Sequence, residues 1–223
     1  SHGSILTGHN AGAEWEHIAV TYNAKTKIVR FYVNGSSGGN RSGDSNTGKY
    51  FEMQNTNVAF RVGSTFNDPT SAIDSVGFDM SNLLIFKHDE LQDPLDDDDI
   101  VRLYNNGLVF DYSRFSKADK LVLWWKMEDA LGTAIADSSG KGHNGTAEFS
   151  MSNHSPTPAL ALREYNDLPF SISFWIRPDS TSSGDKHTII SKSDAYDASY
   201  QVGEELGEWA VYYDGSNVVL QLF

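Results

Sequence analysis

The sequence predicts an all-β fold, a two-sheet antiparallel sandwich with one short helix. Three observations carry that expectation. Apolar residues recur with period two: Phe170, Ile172, Phe174 and Ile176 fall on one face of a strand, and Ser171, Ser173, Trp175 and Arg177 on the other. Such runs come in pairs joined by short polar turns. Long loops rich in Gly, Ser and Asn separate them, and only one stretch has a helical pattern.

In chain order, His17–Tyr22 and Ile28–Val33 read as a hairpin closed by the polar run 23–27. Gly35–Thr47 reads as a loop, then Val58–Val62 and Met80–Phe86 as strands. Asp96–Gly107 reads as the helix. Its acids stand in the first turn, where carboxylates cap free N–H groups, Ile100, Leu103 and Tyr104 form its apolar stripe, and Gly107 closes it. The polar run Asp111–Lys120 is the candidate junction between two segments. Beyond it come a strand over Leu121–Met127, a Gly-rich loop over Asp137–Thr146, the alternating strand Phe170–Arg177 and a loop over Ser180–Lys186. Thr188–Ser191 is a further strand, and Ala210–Tyr213 with Val218–Phe223 flank the turn signal Asp214–Asn217.

The 223 residues carry 30 acidic and 17 basic side chains, a formal net charge of -13. That excess repels phosphate backbones and argues against nucleic acid as a partner. Both sides of Asp111 share it, with 15 acidic and 8 basic residues before the break and 15 and 9 after it, so neither is a charged tail. Cysteine is absent, which removes disulfides, zinc–thiolate sites and thiol nucleophiles together. No apolar run approaches the roughly 18 residues of a membrane span. The chain opens without Met or a signal-like segment, so it is expected to be processed, excised or part of something longer.

Several stretches carry a family resemblance. Leu121–Thr146 has a strand ending in Trp-Trp-Lys-Met-Glu-Asp, a Gly-Thr turn, and then Asp137-Ser-Ser-Gly-Lys-Gly-His-Asn-Gly-Thr146. It resembles the opening of laminin G-like domains of the concanavalin A-like lectin/glucanase superfamily. Phe170–Pro178 and Ile189-Ile-Ser-Lys192 are similar to that family's next two strands. Trp15–Tyr22 through Phe31–Gly35 resembles a later hairpin, and Met80–Phe86 with Ile100–Gly107 its last strand and closing helix. The resemblance implies a jelly-roll sandwich with Trp15, Trp125 and Trp175 at core positions.

Relative to that family the halves are exchanged. Residues 1–110 resemble the C-terminal half of the sandwich, 111–120 are a linker, and 121–223 resemble the N-terminal half. Three arrangements follow: a circular permutant closed within one chain, one repeat length of a tandem array, or a head-to-tail polymer in which each chain completes its neighbour. A half sandwich alone exposes an apolar face and unpaired strand edges, so it needs a complement. A heterologous contact that does not close on itself builds fibres.

No catalytic constellation stands in the sequence. The resemblance to glucanases would require a Glu-x-Asp-x-Glu strand, which is absent; Glu204, Glu205 and Glu208 have other spacing. There is no His-Glu-x-x-His pattern, nucleophile elbow or phosphate loop. The chain is expected not to be an enzyme. The resemblance implies a calcium (Ca2+) site in the Asp137–Thr146 loop, with Asp137 and Asn144 as ligands and a carboxylate from the last strand. The family's Asp falls at Ser81 here, and Asp79, two residues earlier on the same face, takes its place. The alternative is that Asp137 and Asn144 only brace a Gly-rich turn.

For a sugar-stacking or partner surface the candidates are Trp124, which points opposite to Trp125, and Trp209 with Tyr212, outside the matched motifs. Two functions follow. One is a non-catalytic structural or adhesive repeat unit of a long extracellular or surface protein or filament, partnered by neighbouring copies of itself. The other is a carbohydrate-binding, lectin-like module that binds glycans, assisted by calcium. Both place the chain outside the cell or at its surface, without nucleic acid or a membrane as partner.

Overall fold

A computed structural model describes residues 2–6, 14–42, 60–63, 78–90, 92–108, 110–128, 134–146, 168–178, 187–193, 207–213 and 217–222. The loop at 180–186, Glu204, Glu205 and parts of several predicted loops lie outside them. The described chain is an all-β, two-sheet antiparallel sandwich with one short helix.

One sheet has six strands in the order β4 (Ser36–Ser42), β3 (Ile28–Val33), β2 (Glu16–Asn23), β10 (Phe170–Pro178), β6 (Phe78–Lys87) and β7 (Leu121–Trp125). The other has five: β1 (His2–Leu6), β13 (Asn217–Leu222), β12 (Gly207–Tyr213), β11 (His187–Ser193) and β5 (Phe60–Val62). A two-stranded ribbon pairs β8 (Ala134–Ile135) with β9 (Gly145–Thr146).

The period-two pattern sets which residues meet between the sheets. Across β10 and β2, Phe170 lies opposite Tyr22, Ile172 opposite Val20 and Phe174 opposite Ile18, and all six are buried. They pack with Phe31, Leu83, Ile85, Leu123 and Trp125 of their own sheet and with Phe60, Ile190, Trp209, Val211 and Leu220 of the other. This is the main core.

The outer face of the six-stranded sheet is covered as well. Helix α1 (Asp97–Tyr104) contributes Ile100 and Leu103 to a second cluster with Ala19, Tyr32, Leu84, Phe86 and Trp124. The run 111–120 is not an open polar link. It forms 3₁₀ turns at Tyr112–Arg114 and Ala118–Lys120, and Tyr112 and Phe115 are buried in that cluster. The helix begins as its acids predict: Asp99 N–H donates to Asp96 Oδ1 at 2.8 Å and Asp96 N–H to Asp99 Oδ2 at 3.4 Å, a reciprocal cap. Its end differs from the predicted Gly107, because Asn105 already adopts the left-handed conformation there (φ 46°).

Two strands depart from the sequence expectation. Ser36–Ser42, read as loop, is β4, an edge strand that follows an Asn34-Gly35 turn with φ of 49° and 75°. A side chain at Gly35 would also meet the Tyr104 ring at 2.9 Å. His2–Leu6, assigned to no element from sequence, is β1.

Candidate functional site

The three aromatics expected to form a ligand platform lie on three different surfaces, and each is buried. Trp124 is on the outer face of the six-stranded sheet, 6% exposed, with the Tyr112 ring edge-on at 5.3 Å and Lys126 Nζ 4.7 Å from its centroid. Its Nε1–H donates to Asn82 Oδ1 at 3.1 Å. Trp209 is fully buried between the sheets, against Phe60 and Phe170. Tyr212 is on the outer face of the five-stranded sheet, buried with Ala210 and Val219. All three candidates for a sugar-stacking or partner surface are therefore buried in this structure.

The predicted metal ligands bind the chain's own groups. Asp137 lies beside β7, and its carboxylate is filled by the chain's own donors. Oδ1 accepts from Trp124 N–H at 3.0 Å and Ser139 N–H at 2.9 Å, and Oδ2 from Ser139 Oγ–H at 2.8 Å and His143 N–H at 2.9 Å. Burial raises its pKa, but these bonds outweigh burial and hold the carboxyl below its ordinary range. Asn144 Oδ1 accepts from Asp137 N–H at 2.9 Å. Asp79 is ion-paired with Arg177.

Asp137, Asn144 and Asp79 are thus each engaged by the chain's own groups, and among the described residues no group of three His, Asp or Glu gathers. The loop works as a brace instead. Trp125 Nε1–H donates to His143 O at 2.8 Å, His143 Nδ1–H to Val122 O at 2.7 Å, and a side chain at Gly145 would meet the Trp125 ring at 2.7 Å.

One Ser–His contact stands out. His17 Nε2 is 2.7 Å from Ser173 Oγ on the outer face of β2 and β10. Both residues are buried, and the rings of Tyr104 and Trp175 lie 5.9 and 5.3 Å from the imidazole. Burial lowers the His17 pKa to about 3. A nucleophile must meet its substrate, and this hydroxyl is sealed, so the pair serves packing.

Sequence reasoning missed the residue that does face solvent. Trp15, which the family resemblance places in the core, is 40% exposed. It stands one residue before the Glu16–Ile176 pair of β2 and β10, and Arg177 Cζ lies 5.5 Å over its ring. Arg177 in turn faces Asp79 in the β10–β6 register, donating from Nε at 3.1 Å and from Nη2 to Asp79 Oδ2. The signal was parity: Trp15 shares the outward side with His17, not the inward side with Ile18.

The seam between the two segments is the remaining feature. β10, from residues 121–223, lies between β2 and β6, from residues 1–110. β11 pairs with β5, β7 with β6, and β13 with β1, where His2 lies opposite Gln221. Comparisons with protein-family models, with curated proteins and with solved structures find no match.

Proposed function

We propose that this chain is a non-catalytic structural or adhesive sandwich of the laminin G-like kind, a repeat unit of a long extracellular or surface protein or filament. The interleaving of its two segments supports this reading. Without 121–223, β2 and β6 lose the strand between them; without 1–110, β10 loses both of its neighbours, and β11 and β13 become edges. Either segment alone presents unpaired backbone and apolar inner faces such as those of Phe174 and Ile18.

The contacts that close the sandwich within one chain are the same contacts that a neighbouring copy can supply. β1 pairs with β13 across the two segments, a contact that the β1 or β13 of a neighbouring copy can also supply. The braced Asp137 loop and the sealed His17–Ser173 pair fit a mechanical role, since both spend their polar atoms on holding strands together.

Fragment complementation tests the reading. Residues 1–110 and 121–223, produced separately and mixed, are expected to form a complex with strand content matching the intact chain and one cooperative melt, with neither fragment melting cooperatively alone. Two fragments that fold independently and ignore each other would overturn it.

A further inference from the structure

We propose that Asn106 is a self-modification site, where the chain deamidates spontaneously at the end of its helix and gains a negative charge as it ages. The sequence holds three Asn-Gly pairs, Asn34-Gly35, Asn106-Gly107 and Asn144-Gly145. In such a pair the glycine nitrogen reaches the preceding side chain most easily, because glycine has no Cβ to obstruct the approach. As sequence the three are alike, and the fold separates them.

The reaction needs only the chain and water. The Gly107 backbone nitrogen bonds to Asn106 Cγ, the Cγ–Nδ2 bond breaks, and the side-chain nitrogen leaves as ammonia, taking up through solvent the proton that the glycine nitrogen gives up. The succinimide ring that results is then opened by water at either carbonyl. One opening leaves aspartate; the other leaves isoaspartate, in which the main chain runs through Cγ and is one methylene longer. Nothing is oxidised or reduced.

The carboxamide must swing round to that nitrogen, so whatever holds the pair slows it. Asn34 Oδ1 accepts from His17 N–H at 3.0 Å, its own N–H donates to His17 O at 2.9 Å, and Gly35 lies against the Tyr104 ring. Asn144 Oδ1 accepts from Asp137 N–H at 2.9 Å, and Gly145 pairs with Ile135 and lies against the Trp125 ring. Asn106 is exposed, and no group among the described residues bonds to its carboxamide. It also sits in left-handed backbone (φ 53°, ψ 34°) between Asn105 at φ 46° and Gly107 at φ 80°. Two successive non-glycine residues in that conformation raise the energy of the turn, so it opens more readily than a paired strand. Asn105 is the weaker target, since the residue after it carries a side chain and its Nδ2–H donates to Leu108 O at 3.4 Å. The new carboxylate stands at the helix's C-terminal end, where the dipole opposes it, two residues beyond the Tyr104 ring that covers His17 and Trp175. This inference is independent of the repeat-unit reading, since it needs only the folded chain.

The test incubates the intact, folded chain in mildly alkaline heavy-oxygen water and follows it over time by tryptic mapping and fragment-ion mass spectrometry. Peptides 31–41, 103–114 and 142–163 carry the three pairs separately. Conversion is expected first at Asn106, several-fold faster than at Asn34 or Asn144, with heavy oxygen incorporated and with both the aspartyl and isoaspartyl forms present. In the chain unfolded by guanidinium the three rates should converge, because only the shared Asn-Gly sequence then acts. Asn106→Gly, which suits the left-handed turn and lacks the carboxamide, should remove the leading acidic species from ion-exchange profiles. The comparison among the three pairs within the native chain stands without that variant. Native Asn34 or Asn144 converting as fast as Asn106 would overturn the proposal. So would an Asn106 that reacts in the unfolded chain and stays intact in the folded one.

Discussion

On β2 and β10 the two faces of the six-stranded sheet bury different chemistry. Inward, Ile18, Val20, Phe170, Ile172 and Phe174 are buried among apolar residues of the other sheet. Outward, on the same two strands, His17, Thr21, Ser171 and Ser173 are just as buried, beneath the helix and the 111–120 layer. Here polar atoms bind locally: Ser171 Oγ accepts from Leu95 N–H at 3.0 Å, and Ser173 Oγ pairs with His17 Nε2. The inner face is held by area removed from water, while on β2 and β10 the outer face adds local polar contacts to its own apolar cluster. Damage should follow suit: a cavity on one side, an orphaned polar atom on the other.

The largest effect belongs inward. Phe174→Ala should lower unfolding stability by about 4 kcal/mol in urea titrations, because a fully buried ring leaves a cavity that paired strands cannot close. Next comes the brace at the sheet's β7 edge. Asp137→Ala strips partners from three backbone N–H groups and the Ser139 hydroxyl, an expected loss of about 2–3 kcal/mol. Smaller again is Ser173→Ala, which changes little volume but removes the partner of His17 Nε2, while His17 Nδ1 already has none; about 1–2 kcal/mol is expected. If Ser173→Ala cost as much as Phe174→Ala, the contrast between the faces would fail.

The pH dependence sharpens the contrast further. Burial lowers His17 to about 3, and burial followed by Lys117 and Lys120 lowers His88 to about 4, both from 6.5. Below pH 6.5 the unfolded chain takes up protons at these residues that the native chain refuses, so their contribution is lost as pH falls. Burial raises Glu16 from 4.5 to about 7, so above pH 4.5 the unfolded chain releases a proton that the native chain keeps, and that contribution is lost as pH rises. Two histidines oppose one carboxyl. Stability should therefore rise between pH 4.5 and 6.5 with a slope of about one proton, and more steeply in Glu16→Gln. Denaturant midpoints at several pH values within that window measure it; a flat profile would count against the burial of both imidazoles.

Much of the inner face was legible in the sequence, because the alternation at Phe170–Ile176 and in the hairpin of β2 and β3 states which residues meet. The outer face was not. Period two says that Trp124 and Trp125 point apart, but not that the side bearing Trp124 also has a cover. That cover comes from Tyr112 and Phe115, two aromatics in a run whose other residues are charged or small. β4 escaped notice because Gly, Ser and Asn are poor strand formers, and its pairing with β3 uses backbone groups; only the Asn34-Gly35 dipeptide marked it. Of the candidate site residues, the Asp137–Asn144 contact could be anticipated from the loop pattern. The pairing of Asp79 with Arg177 could not, since it joins residues 98 apart in sequence.

The proposed role rests on a sandwich that needs both segments and that neighbouring copies can complete. Light scattering of the intact 223-residue chain over a concentration series, after unfolding and refolding at each concentration, tests this most directly. Mass that grows with concentration and reaches no plateau is the predicted result, as chains complete one another end to end. A monomer mass at every concentration would contradict exchange between chains and leave the sandwich closed on itself.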